Sequence, residues 1–77
     1  MMNLKRRKRI QDTLNILTEQ RDLLEILKDE EQEYVDNVPE NLQGTERYET
    51  AEEAASGLDE AYDLVNDAIE KLEGLVD

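Results

Sequence analysis

Cysteine and histidine are both missing from this 77-residue chain, and their absence removes most of the chemistry a small protein can carry. Without cysteine there is no disulfide framework and no thiolate metal site, and the redox compartment stays open. Without histidine as well, zinc sites and the usual nucleophile–base pairs are excluded, leaving carboxylates, Lys, Tyr, Ser and Thr. Tryptophan and phenylalanine are absent too. Tyr34, Tyr48 and Tyr62 alone are too few to form a stacking platform for single-stranded nucleic acid. No apolar run approaches the roughly 20 residues needed to span a bilayer, and the opening residues lack the apolar stretch of a signal peptide. The expectation is a cytoplasmic protein with no membrane segment.

What is abundant is acid. Asp and Glu number 21 against nine Lys and Arg, for a net charge of −12. The imbalance is uneven along the chain: Lys5, Arg6, Arg7, Lys8 and Arg9 give the first eleven residues +5, and residues 12 to 77 carry four bases and 21 acids, or −17. So acidic a body disfavours general binding to DNA or anionic membrane, because attraction to phosphate supplies most non-specific affinity. It favours a basic partner, or simply solubility.

Periodicity supplies the fold. Tyr48, Ala51, Ala55, Leu58, Tyr62, Val65, Ile69, Leu72 and Val76 step alternately by three and four, the seam of a helix that packs on another along its whole length. In the first half, Ile10, Leu14, Ile16, Leu17, Leu23, Leu24, Leu27, Tyr34 and Val35 fall within one half of a helical wheel. A face that wide predicts contact with more than one neighbour. Ile26 lies outside it; Arg21 and Lys28 project into it, with stems along the apolar surface and charges reaching water at the edge.

Between them, Pro39 disfavours helix at Val38, Asn37 and Asn41 suit turns, and Gly44 permits a positive φ. Thr45 is placed to cap the second helix, with Glu46 and Glu49 at its positive end. Leu42 is expected to fold back as an apolar plug. The prediction is a single all-α domain over residues 1–77. It is an antiparallel two-helix hairpin with a first helix over about 3–36, a turn over 37–45 and a second helix over about 46–74, extending at most to Val76. Such a hairpin buries little surface alone, so dimerisation into a four-helix bundle is expected. Leu14, Leu17, Leu24, Leu27, Leu58, Tyr62, Val65, Ile69 and Leu72 are the packing and dimer residues. Ala54, Ala61 and Ala68, continued by Leu75, form a small-residue edge for the hairpin contact or a dimer contact. Antiparallel packing also sets the basic cluster beside Asp67, Glu70, Glu73 and Asp77, and mutual pairing there is expected.

Away from the seam, Glu46, Glu53, Glu60 and Asp67 form one acidic row, Glu49, Asp63 and Glu70 a second, and Glu52, Asp59 and Glu73 a third. Glu30, Glu31 and Glu33 add acid near the turn. Carboxylates spaced along a rod can imitate nucleic-acid phosphates, so a host protein with a basic or nucleic-acid-binding surface is one expected partner. A solvated outer face needs the same residues. No calcium-loop layout or Glu-x-x-His element occurs, so no metal and no cofactor is expected. Paired carboxylates without a concave scaffold do not make a hydrolase, and an enzyme is not expected.

The runs Asp29-Glu30-Glu31-Gln32-Glu33-Tyr34 and Asn37-Val38-Pro39-Glu40-Asn41-Leu42-Gln43-Gly44-Thr45-Glu46-Arg47-Tyr48 resemble a family of small acidic helical proteins encoded by bacteriophages and mobile elements of Firmicutes. The resemblance covers residues 29 to about 73. It implies the hairpin fold and a phage origin in a bacterial host cell, and transfers no functional residue, since the family has no established activity. The expectation is a stoichiometric inhibitor that occupies a host nucleic-acid-handling or defence protein through its acidic faces. The alternatives are an assembly module docking through the wide apolar face of the first helix, or a DNA-metabolism accessory using Lys5 to Arg9.

Overall fold

The computed structural model describes residues 3–77. Helix α1 spans Leu4–Asp36, a 3-10 turn spans Glu40–Leu42, and helix α2 spans Glu46–Val76. The two helices run antiparallel as a rod with Cα extents of 59 × 15 × 15 Å.

Local chemistry sets the ends of each helix. The side-chain oxygen of Asn3 accepts the Arg6 amide at 2.8 Å and caps α1. At the other end the Asn37 backbone and side-chain N–H groups both donate to the Glu33 carbonyl, the side chain at 2.8 Å. Pro39, with φ −57° and ψ 145°, then turns the chain out of helical geometry. Thr45 closes the turn by donating to the Leu42 carbonyl at 2.8 Å and accepting the Tyr48 amide at 3.3 Å. Gly44 does not take the positive φ its type allows; the 3-10 turn reverses the chain without it.

On α2 all nine seam residues, Tyr48 through Val76, are buried or half-buried. Along α1 the matching line is Arg7, Ile10, Leu14, Leu17, Arg21, Leu24, Lys28, Glu31 and Val35, continued past the helix by Val38 and again stepping by three and four. The core is thin: among the described residues Leu14, Val35, Ala51, Ala55 and Ile69 are the buried apolar ones, and two of them are alanine. Val35, Ala51 and Ala55 cluster beneath Tyr48 near the turn.

Two cross-helix hydrogen bonds fix the register. Arg21 Nη1 donates to Asn66 at 2.9 Å and Lys28 Nζ to Asp59 at 3.2 Å, so seven residues forward on α1 match seven residues back on α2. Lys28 Nζ also lies 5.0 Å from the Tyr62 ring centroid.

Three expectations are corrected. Leu27, expected to pack within the hairpin or in a dimer, is not on the helix–helix seam: it is 48% exposed, beside Ile16 and Leu23, because the wide apolar face of α1 is two adjacent stripes of which one meets α2. Glu31 is not a free surface acid but is half-buried at a seam position. Leu42 does not plug the hairpin end; it is 46% exposed and walls an open groove.

Candidate functional site

Assigning heptad letters with the seam at a and d makes Arg7, Leu14, Arg21, Lys28 and Val35 the a row of α1, and Tyr48, Ala55, Tyr62, Ile69 and Val76 the a row of α2. The hairpin then has two unlike sides. On one, a shallow groove of about 390 Å³ is lined by Gln32 from the e row of α1 and by Glu52 and Asp59 from the e row of α2. On the other, near the turn, a groove of about 750 Å³ is lined by Tyr34 and Arg47 from the two g rows, with Glu30, Val38, Leu42 and Tyr48. Both e rows therefore share one side, and both g rows share the opposite one.

Acid is gathered away from the g side. On α2 the f row is Glu46, Glu53, Glu60 and Asp67; the b row holds Glu49, Asp63 and Glu70; the e row holds Glu52, Asp59 and Glu73; and all are exposed. Among the described residues the ion pairs are Arg21–Asp22 at 3.5 Å and Lys28–Asp59 at 3.2 Å. That leaves 19 of the 21 acids with no cation of the described residues within 4.0 Å. Glu30 and Glu33 are exposed and flank the groove at the turn.

The c and g rows of both helices carry one acid, Glu30. Their apolar members are Ile16, Leu23, Leu27 and Tyr34 on α1, and Ala54, Ala61, Leu64, Ala68 and Leu75 on α2. Leu64 is 69% exposed. The Ala54–Ala61–Ala68 edge does not carry the hairpin contact, which runs along a and d. A Cβ at Gly57, on this same side, meets nothing within 4 Å.

The basic cluster departs from expectation. Lys5, Arg6, Lys8 and Arg9 are exposed and form no ion pair with Asp67, Glu70, Glu73 or Asp77 among the described residues. Arg7 instead donates to the Val76 backbone carbonyl, placing a cation on the negative end of the α2 dipole.

Two ionisable groups are shifted. The hydrogen bond to Asp59, aided by the charges of Asp59, Asp29 and Glu25, raises the Lys28 pKa above its ordinary value. Burial, then the neighbouring Glu52 and Asp36, raises the Tyr48 phenol. Periodicity does not name the partners of Arg21 and Lys28; the e row across from these a positions offers polar groups, and Asn66 and Asp59 are the ones they reach.

Among the described residues no three Asp or Glu side chains converge as a metal cage, and no helix is long and apolar enough to cross a membrane. Comparison of the chain with known protein families, curated proteins and solved structures yields no match.

Proposed function

We propose that this chain is a non-enzymatic, phage-encoded binding protein that acts in the cytoplasm of a bacterial host, where it occupies a nucleic-acid-handling or defence protein through its acidic rows. The observation that carries this reading is the density of carboxylates along one long helix, nearly all without an ion-pair partner among the described residues. Ten acids line the b, e and f rows of α2 between Glu46 and Glu73, about 40 Å of helix at 1.5 Å per residue. That is one charge per about 4 Å, against about 3.4 Å per charge along a strand of DNA. Among the described residues, Asp59 is the one of these ten with a cation within 4.0 Å. The phage origin rests on the resemblance of residues 29 to 73 alone.

The test is a tagged pull-down from nuclease-treated bacterial lysate, eluted along a salt gradient. The expected result is a nucleic-acid-handling protein released by moderate salt and displaced by added duplex DNA. Recovery of the chain by itself, or of a partner indifferent to salt and to DNA, overturns the reading.

The exposed apolar g side favours a second reading, an assembly module in which that side docks onto another protein and the acids serve only for solubility. The same pull-down separates the two, because a hydrophobic contact resists salt.

A further inference from the structure

We infer that the g side of the hairpin is covered by a second copy of this chain, packed face to face in the opposite direction, tip to base. The arrangement uses a side of the molecule away from the acidic rows and stands or falls independently of what those rows bind.

Something must cover this side. Among the described residues the hairpin's own core has five buried apolar side chains, few for a domain of this size. Ile16, Leu23, Leu27 and Leu64 meanwhile lie about half exposed or more on one side. The area suits a dimer. A face 59 Å long and 15 Å wide projects about 900 Å², so two apposed copies bury on the order of 1,800 Å², within the range of stable interfaces. The relief suits close packing of helices: the large Leu23 and Leu64 lie at one level across the hairpin, as the Arg21–Asn66 and Lys28–Asp59 register places them. Ala61 and Ala68, one turn before and after Leu64, leave room for the opposing side chains.

Charge selects both the occupant and its direction. The lower half of this side carries Arg6 and Arg9 at the base and Lys71 at the level of Ile16, while Glu30 and Glu33 flank the groove at its tip beside Arg47. Stacking two copies tip on tip would press three cations against the same three. A two-fold axis across the middle of the rod instead sets the cations of each lower half against the other tip, where Glu30 and Glu33 outnumber Arg47 and the Tyr34 ring is exposed, an isologous contact that closes on itself. A strongly acidic or uniformly basic partner would meet one end of this face and be repelled by the other.

The absence of cysteine allows a clean test. The exposed turn residue Asn41, replaced as Asn41→Cys and spin-labelled, reports the distance between the two tips. The expected separation is close to the 59 Å length of the rod, with sedimentation equilibrium giving twice the 9.0 kDa of one chain. A tip-to-tip distance near the width of two hairpins, about 30 Å from the 15 Å cross-section, overturns the direction. A monomeric mass at about 100 μM, far above the micromolar affinity common at this area, overturns the self-association and assigns the face to another protein. Leu23→Lys with Leu64→Lys is expected to weaken the dimer at least tenfold with unchanged helix content by circular dichroism, since both side chains point away from the hairpin seam. Should that pair cost helix content, the exposed Ala68→Lys is the second variant, and dimerisation unaffected by a helical form of either overturns the interface.

Discussion

Arg21 and Lys28 sit at a positions of the seam, where leucine packs better, and each finds one polar partner on α2. Arg21 is the less satisfied of the two: its Nε is buried without a hydrogen-bond partner, and leaving such a donor unpaired is costly. Arg21→Leu is therefore expected to stabilise the hairpin by about 1 kcal/mol, the low end for replacing a buried charged group with a hydrophobe because this one is half exposed. Urea denaturation reads that change directly. The shifted groups add a pH dependence. Lys28 and Tyr48 both hold their protons more tightly in the hairpin than in the unfolded chain. Their contributions are complete below their ordinary values near 10 and are lost as pH rises through the folded values. Thermal melts between pH 7 and 11 are expected to show stability falling above about pH 10, and Lys28→Met to show a shallower fall.

At the scale of the elements, the turn is held by few interactions, so each matters. Thr45 both donates to Leu42 and caps α2 at the Tyr48 amide, and Thr45→Ala is expected to cost about 1 kcal/mol, measured by thermal or urea unfolding. The second helix was legible in the sequence because its seam is apolar at every position from Tyr48 to Val76, with no polar residue to blur the three-four step. The first helix was legible as a helix but not as a surface. Arg21, Lys28 and Glu31 occupy its seam while Ile16, Leu23 and Leu27 lie off it, so a wheel merges two stripes into one wide face. Only the position of α2 separates them. The acidic rows were legible from spacing alone. That Arg7 would serve the end of α2 was not, because a backbone carbonyl leaves no mark in the sequence.

For the whole molecule, charge and burial divide the hairpin lengthwise. The c and g rows of both helices hold Glu30 as their one acid, and the remaining 20 of 21 acids lie elsewhere. A net charge of −12 with two ion pairs among the described residues means that repulsion dominates the long-range electrostatics of the fold. Raising sodium chloride from about 20 to 500 mM shortens the screening length to a few ångströms and is expected to raise the melting temperature. A fall would show instead that attraction between the basic cluster and the acidic body prevails.

Separate work by the acidic rows and the apolar side is tested by capture from the same nuclease-treated lysate with the native chain, with the triple variant Glu53→Lys, Glu60→Lys, Asp67→Lys, and with the double variant Leu23→Lys, Leu64→Lys. The expected result is that charge reversal abolishes capture of the salt-released partner while the leucine variant, still helical, retains it. Capture that survives charge reversal and disappears with the two leucines would contradict the account and make the apolar side the binding surface.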